Sequence, residues 1–449
     1  MALITNAIKG TLDTLPSGSY KIQYIEAVMR EIAENYGFYE MRTPVFEHTE
    51  LFQRSVGETT DVVQKEMYSF EDKGGRSITL KPEGTAGAVR AYLEHGLFNE
   101  AMPQKIYYIT PCYRYEKPQA GRLREFHQFG IECFGAGTAA QDAEVILLGN
   151  EIFNYLGINN LTLEINSIGC PECRKKFQQA LKDYFNSHYD ELCDTCKGRL
   201  EKNPMRILDC KSPVCSEIGK DAPKILDYLC DDCSEHFELV KKYLTANNID
   251  FMVNPTIVRG LDYYTRTVFE FVSNEIGAQG TVCGGGRYDG LIEEMGGKPT
   301  PACGFGLGLE RLLLLMETQK SEFPESKKCD LFIGSMGQDA NIMASVIAAD
   351  LRNEGLSAQF DTVGRSVKAQ MKYADKIGAL YTMVLGDSEL ESGKAMLKNM
   401  ETGEQSEISL EEFTDNFQAM IIKQAMDGLD SVGIQGVDLS QLMGGDLNG

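Results

Sequence analysis

Two stretches of strand-like sequence, separated by a long cysteine-rich middle, constrain this chain more than any other feature. From Ser77 to about Gly135 the text runs through SITLKPE, QKIYYITPCYRYE and REFHQFGIECFG, with one helical pattern around TAGAVRAYLEHG. The second stretch comprises FMVNPTIVRGLDYYTRTVFEFVSN, TVCGGGRYDGL and ACGFGLGLERLLLLME. Long hairpins without a βαβ rhythm predict an antiparallel sheet. Its core is split around residues of about 168–250, a mostly helical pattern that reads as an insertion. Upstream, SYKIQYIEAVMREIAENYG sets Ile25, Val28, Met29, Ile32 and Tyr36 at helical spacing, and Gly37 stands where a left-handed cap belongs. FYEMRTPVFEH follows as an extended segment whose Pro44 confines it to a sheet edge or a bulge, so helix and edge form a candidate pairing surface for a second subunit.

After Lys328 the rhythm changes. CDLFIGSMG, a helix from about Asn341 to Asn353, SAQFD, a helix from about Arg365 to Lys376, and LYTMVLG alternate strand and helix, which predicts a small parallel α/β domain. Beyond Ala425 the text is rich in Gly and Asp with few large apolar residues, so 426–449 is expected to be a disordered tail. The division is therefore 1–328, with the insertion inside it, then 329–425, then the tail.

At 449 residues, 43% hydrophobic and 24% charged, the chain suits two or three globular domains. ALITNAIKG after Met1 has no charged and apolar export regions, and runs such as RLLLLME fall far short of the ~20 residues that span a bilayer, so a cytoplasmic protein without a membrane partner is expected. A formal net charge of -22 argues against a generic nucleic-acid coat, whose non-specific affinity scales with the cations it presents. Any basic site must then be local and specific.

One such site is RYEKPQAGRLREFHQFG, residues 114–130, where Arg114, Lys117, Arg122 and Arg124 face only Glu116 and Glu125. Arg114 lies in a β-type run, and alternation puts Glu116 on its face. A guanidinium that loses its water must be paired. PQAGR reads as a turn, and the return strand offers Glu125, Gln128 and Glu132. Arginines beside carboxylates suit a zwitterionic substrate next to a polyphosphate; a surface hairpin with ordinary ion pairs is the equal alternative. ACGFGLGLERLLLL supplies Arg311 on the opening turn of an apolar helix entered through Gly304, Gly306 and Gly308. Glycines allow close backbone approach and a helix N-terminus favours phosphate, although a buried helix with a tight entry fits the same text. Arg365, Lys368, Lys372 and Lys376 are spaced to line one helix face, which in isolation is a solvated face.

Together the Arg-x-Glu strand, basic turn, return strand and later glycine-led Glu-Arg helix resemble motifs 2 and 3 of class II aminoacyl-tRNA synthetases, and the Pro44 segment resembles motif 1. RGLDYYTRTVFEF (259–271) and GGGRYDGL (284–291) are similar to the two stretches particular to histidyl-tRNA synthetases, and LKPEGTAGAVRA (80–91) to that family's amino-acid loop. The resemblance spans about residues 5–425 and implies an α+β catalytic domain on a mainly antiparallel sheet, a C-terminal α/β anticodon-binding domain, and a homodimer. It implies an ATP-dependent, AMP-forming ligase that joins L-histidine to tRNA-His, with Mg²⁺ bridging phosphates. It further implies that Arg114 and Arg259 hold the α-phosphate and the histidine carboxylate, with Glu116 beside them, and that Arg311 holds the distal phosphate and covers the adenine. Glu83 and Tyr264 match the imidazole readers, while Gly84, Thr85, Gln128 and Glu132 match the surroundings of the α-amino end, with Tyr263 alongside. Arg122 would face the acceptor end of the tRNA, and Arg365, Lys368 and Lys372 its anticodon arm. A buried donor and acceptor pair would give selectivity, because an analogue lacking one group leaves the other unsatisfied.

Thirteen cysteines in a cytosolic chain argue for thiols, metal or packing instead of a disulfide scaffold. Between Cys170 and Cys233 lie CPEC, CDTC, Cys210 with Cys215, and CDDC, so two or more knuckles compete as ligands. One or two structural zinc ions, or reduced cysteines packed as small hydrophobes, are both open readings.

Overall fold

The computed structural model describes residues 4–57, 60, 62–208, 210, 212–257, 263–276 and 280–431. The chain divides into two compact units, Met1–Pro324 and Glu325–Gly449.

The first unit is built on an eight-stranded sheet. From edge to edge the strands are Tyr39–Glu40, Gln104–Tyr113, Glu125–Phe134, Ala302–Gly308, Thr281–Arg287, Thr265–Ser273, Leu161–Ser167 and Met252–Val253. The two short edge strands pair in parallel and the six between them are antiparallel, as the hairpin spacing requires. Strands from before and after the insertion lie side by side, with Glu125–Phe134 against Ala302–Gly308 and Leu161–Ser167 against Thr265–Ser273.

Successive side chains of a strand point to opposite faces. Tyr107, Ile131, Cys133, Phe269 and Phe305 enter an apolar layer with helix Pro16–Asn35, helix Ala139–Tyr155 and helix Leu309–Gln319. Ile106, Tyr108, Phe134, Val268 and Ala302 point the other way, into a layer shared with helix Thr85–Glu94 and the insertion. The first helix buries Ile25, Val28, Met29, Ile32 and Ala33, and it ends as its sequence predicts. Gly37 has φ +76°, its N–H donates to Glu34 O at 2.9 Å, and Phe38 N–H donates to Ala33 O at 2.9 Å, the paired bonds of a left-handed cap.

Pro44 falls between two strands, not within one. Tyr39–Glu40 joins the large sheet, whereas Phe46–His48 joins a separate three-stranded antiparallel sheet with Ser77–Leu80 and Tyr68–Glu71. A proline cannot donate to a ladder, so the chain changes sheets there. The insertion contains helices Pro171–Ser187, Asp194–Lys202, Pro213–Lys220 and Asp231–Ala246.

In the second unit, Ala358–Phe360, Leu331–Ser335 and Tyr381–Leu385 form the expected parallel core, with helices Gln338–Asn353 and Val367–Lys376. The sheet is mixed, because a hairpin of Lys394–Asn399 and Gln405–Ser409 extends it in antiparallel fashion. Helix Phe413–Ser431 runs past Ala425 into the segment 426–449 that the composition predicts to be a disordered tail. Ala425 and Met426 are good helix formers and carry the helix on. The rest of that tail, 432–449, lies outside the described residues.

Candidate active site

The face of the large sheet that carries Tyr108 has a floor of glycine. Reading across strands, Tyr108 stands opposite Gly130, Gly130 opposite Gly306, Gly306 opposite Gly284, and Gly284 opposite Glu270. In the next row Glu132 faces Gly304, and Gly304 faces Gly286. At about 4.8 Å per strand, the row from Tyr108 to Glu270 spans about 19 Å, and its three central positions have no side chain to fill the space. Gly304, Gly306 and Gly308 do lead into helix Leu309–Gln319, as expected, but they do so as strand Ala302–Gly308, where they also clear a trough. Neighbouring side chains occupy that room. A Cβ on Gly306 would lie 2.0 Å from Gln128 Nε2, one on Gly304 would lie 2.3 Å from Glu132 Oε2, and one on Gly84 or Gly130 would strike the Tyr108 ring.

One end of the trough is acidic and aromatic. Glu83 is fully buried just before helix Thr85–Glu94, and its carboxylate accepts from Thr85 N–H at 2.7 Å and Ala86 N–H at 2.9 Å. The helix N-terminus therefore fixes this carboxylate. Burial pushes its pKa up, against those two amides and the nearby Arg114. Gln128 Oε1 accepts from Gly84 N–H at 3.0 Å. Glu132 accepts from Tyr108 OH at 2.9 Å and from Tyr288 OH, and Thr85 bonds to it as well. Burial dominates, however, and with the Glu83 charge it raises Glu132 to about 8 despite those three donors. Tyr263, Tyr264 and Tyr288 form one aromatic cluster, with the rings of Tyr263 and Tyr264 4.7 Å apart and those of Tyr263 and Tyr288 5.5 Å apart.

The other end is cationic. Strand Gln104–Tyr113 stops one residue before Arg114, so Arg114 and Glu116 lie on the hairpin beyond the strand and not on a sheet face. Arg114 Nε donates to Pro82 O at 2.8 Å and its guanidinium sits over the Phe126 ring at 5.4 Å. Buried Glu116 pairs with Arg122 and lies 4.0 Å from Arg114. The hairpin closes with mutual backbone bonds between Gln119 and Arg122 around Gly121, φ +66°. From the first turn of helix Leu309–Gln319, Arg311 reaches over to donate to Thr281 O at 2.5 Å and Gly121 O at 3.5 Å. Burial lowers its pKa, and the charges of Arg122 and Arg114 lower it further. Burial likewise lowers that of Arg122, with Arg114 adding to the effect and Glu66 opposing it. Guanidinium groups do not lose their protons near neutrality, so an arriving anion relieves this repulsion.

Arg259, the third arginine of the sequence reading, lies outside the described residues, as does Asp262. Tyr108 and Tyr288 received no role from sequence, although Tyr288 sits in GGGRYDGL and Tyr108 shares a strand face with Thr110. Nor did a buried ion network behind the trough, in which Asp142 accepts from Arg287 Nε at 3.0 Å and lies 2.7 Å from His236 Nε2. These residues are scattered along the chain, and no local pattern signals them.

In the second unit Arg365 precedes helix Val367–Lys376. It pairs with Asp361 at 2.7 Å and lies 4.5 Å over the Tyr373 ring, which removes it from the helix stripe, while Lys368, Lys372 and Lys376 are exposed on the helix. The eight insertion cysteines are free thiols gathered into two sets, Cys170, Cys173, Cys230 and Cys233, and Cys193, Cys196, Cys210 and Cys215. Within each set all sulfurs lie within 4.8 Å of one another, close enough to hold a metal ion.

A long antiparallel floor with arginines at one end and a helix-capped carboxylate at the other is the class II synthetase catalytic fold. A sequence model described as histidyl-tRNA synthetase matches residues 10–172 and 217–312, leaving out the middle of the insertion, and one described as an anticodon binding domain matches 330–420. The chain is 60% identical over 417 residues to a histidine–tRNA ligase of Clostridium novyi, covering 93% of this chain and 99% of that one. It is 59% identical to one from Caldanaerobacter subterraneus, over 91% of this chain and 98% of the relative. The crystal structure of apo S. aureus histidyl-tRNA synthetase superposes with a TM-score of 0.79 at 41% identity, covering 92% of this chain and all of that one. The chain belongs to the histidyl-tRNA synthetase family.

Proposed function

We propose that the chain is a histidine–tRNA ligase, which activates L-histidine with ATP to the adenylate and transfers it to the 3′ end of tRNA-His, releasing AMP and diphosphate. The observation that carries this is the glycine trough with Arg114, Arg122 and Arg311 at one end and Glu83, Glu132 and the tyrosines at the other. The histidine carboxylate is itself the nucleophile, so no general base is required. The work of the site is to align two anions and to neutralise charge that grows on the phosphoryl oxygens. In this reading Arg114 and Arg259 meet the α-phosphate and the carboxylate, with Glu116 orienting Arg114 and Arg122, and Arg311 covers the adenine and the distal phosphate. Gly84, Thr85, Gln128 and Glu132 surround the α-amino end with Tyr263 alongside, while Glu83 and Tyr264 read the imidazole. Mg²⁺ takes oxygen ligands; Glu270, which accepts from Thr281 Oγ1 at 2.6 Å, is a carboxylate of the floor suited to a phosphate-bound ion, and such an ion supplies charge neutralisation.

We also propose a homodimer. Phe46, Leu80, Ile78 and Phe70 share one face of the three-stranded sheet, with Phe46 55% and Phe70 50% exposed, while Thr79 on the opposite face is buried and hydrogen-bonded. A cavity of about 1240 Å³ beside it, lined by Thr43, His48, Arg54, Arg90 and Met295, lies away from the trough. An apolar sheet face beside a wide, open cavity fits a second copy of the chain. Lys368 and Lys372, with Arg365, fit the phosphates of an anticodon arm, and Arg122 those of the acceptor end. The two four-cysteine sets support structural zinc. No described helix is long and apolar enough to cross a membrane.

Histidine-dependent ATP–pyrophosphate exchange, followed by charging of tRNA-His, tests the assignment. Well-folded protein that binds histidine without catalysing exchange would make it a histidine sensor instead. Arg259→Ala is expected to abolish exchange while leaving the dimer folded.

A further inference from the structure

We propose that the insertion holds two separate mononuclear zinc ions, one in Cys170, Cys173, Cys230 and Cys233 and the other in Cys193, Cys196, Cys210 and Cys215, and that the first zinc positions the histidine pocket. The inference rests on the ligase reading for its kinetic consequence and on the cysteine geometry for its metal content. Four pairs of cysteines can be sorted in several ways, and the fold selects one. The first knuckle joins the fourth across the whole insertion, and the second joins the Cys210 and Cys215 pair. A tetrahedral ion with Zn–S of about 2.3 Å sets its sulfurs about 3.8 Å apart. The distances of 3.5 Å for Cys170–Cys173 and 3.9 Å for Cys193–Cys210 bracket that value. With all sulfurs inside 4.8 Å there is no room for a cluster of several irons.

The surroundings suit thiolates. Cys230 N–H donates to Cys173 Sγ at 3.1 Å and Cys193 N–H to Cys215 Sγ at 3.3 Å, so in each set a backbone amide of one pair supports a sulfur of the other. Gly169, at φ +67°, has no room for a Cβ, which would lie 2.5 Å from Cys173 Cβ.

The two sets differ in what they hold. Arg174, next to Cys173, donates to the backbone carbonyl of Tyr264 at 3.0 Å. Ile168 N–H donates to Arg266 O at 2.8 Å and Arg266 N–H to Gly169 O at 3.0 Å, although φ +50° at Arg266 is a strained conformation for a side chain of that size. The first knuckle is thus tied to the segment that presents Tyr263 and Tyr264. The fourth knuckle begins helix Asp231–Ala246, and one turn on, His236 pairs with Asp142, which pairs with Arg287, the neighbour of Tyr288. Tyr288 in turn donates to Glu132. One zinc would lock both approaches to the pocket. The second set acts through packing: Cys196 and Cys215 lie with Leu200, Met205 and Ile207 in the apolar layer that also takes in Tyr263, Tyr264 and Tyr288, whereas the first set is tied to the pocket by the hydrogen bonds and ion pairs above.

The test uses the full-length protein with metal counted by plasma mass spectrometry and ligation read from the thiolate bands of the Co²⁺-substituted form. The wild type is expected to carry two zincs per chain, and Cys230→Ser and Cys193→Ser one each. Cys230→Ser should raise KM for histidine about tenfold while leaving KM for ATP within twofold, whereas Cys193→Ser should leave both unchanged. Arg174→Met should keep both zincs and still raise the histidine KM, with Arg174→Lys recovering part of it. This variant carries the coupling test if Cys230→Ser fails to fold. Absence of zinc, or iron in its place, overturns the metal assignment. Two zincs with an unchanged histidine KM in Cys230→Ser and Arg174→Met, or an equal rise in Cys193→Ser, overturn the positioning role. Wild-type protein holding two zincs but inactive in exchange would sink the ligase reading alone.

Discussion

Glu132→Gln removes a buried ionisable group without changing shape, and the structure sets the size of its effect. Burial raises this carboxyl to about 8, so in the empty pocket it is protonated through the neutral range. A histidine α-ammonium needs the ionised form. Each unit below that pKa costs about tenfold, so from pH 8 to pH 6.5 histidine affinity should fall about fifteenfold. Protonation of the substrate's own imidazole, with a pKa of about 6.5, multiplies this by a further factor of about two. The variant should therefore show about a twofold change where the wild type shows about thirtyfold. Above pH 8 the variant should bind histidine about 10- to 150-fold more weakly, for loss of a charge-assisted hydrogen bond of about 1.5–3 kcal/mol. The sign for stability follows from the same shift. A carboxyl whose folded pKa lies above its unfolded value of 4.5 costs the empty protein stability as pH rises from there towards 8, and bound histidine removes that cost, so its thermal shift should be larger at pH 8 than at 6.5. Titration calorimetry at pH 7 in buffers of different ionisation enthalpy should show nearly one proton more released on binding to the wild type than to the variant, whose release is only the roughly one quarter of a proton lost by the substrate imidazole. Equal pH profiles for the two proteins, or equal proton release, would refute the argument.

Arg311→Met should raise KM for ATP about 10- to 150-fold in pyrophosphate exchange and leave that for histidine within twofold, because one charge-assisted contact to the nucleotide is lost. Gly306→Ala, whose methyl meets the movable end of Gln128, should destabilise the unit by about 1–3 kcal/mol in denaturant unfolding. Gly304→Ala should cost more, since its Cβ would also lie 2.1 Å from the Ile131 carbonyl oxygen of a paired strand. Replacing Lys368 and Lys372 together by Gln should weaken tRNA binding and reduce the slope of log affinity against log salt by about one per lost phosphate contact, with exchange unaffected.

Much of this was legible in the text of the chain. Hairpin spacing predicts the antiparallel floor, helical spacing predicts the first helix and its Gly37 cap, and the Gly-Phe-Gly-Leu-Gly run predicts close approach. What the text hides is register. Gly130, Gly306 and Gly284 become a single row only when three strands align, and Tyr108 joins that row through its pairing with Gly130. Arg114 reads as a strand residue because TPCYRYE has β propensity, yet the ladder ends at Tyr113, where the hairpin turns away to form the cationic end. The C-terminal hairpin carries a weak strand signal because Lys394, Met396 and Lys398 mix charged and apolar residues on its exposed face, although Ala395 and Leu397 alternate as buried positions and Gly403, φ +76°, marks its turn. The pairing of first with fourth knuckle cannot be read from spacing, since it depends on the path of the three α-helices between them.

That path bears on how the chain assembles. Ser167 lies opposite Thr267, yet the whole insertion is threaded between them. Closing so long an excursion before any contact forms carries an entropic penalty that grows with the length of loose chain. Once the insertion has condensed, its ends emerge side by side through the Ile168 and Arg266 backbone bonds, and the effective excursion becomes short. Nascent protein would then complete its floor late, after the excursion has gathered itself, so depriving cells of metal during synthesis should lower the yield of soluble chain more than the same treatment does to protein already made.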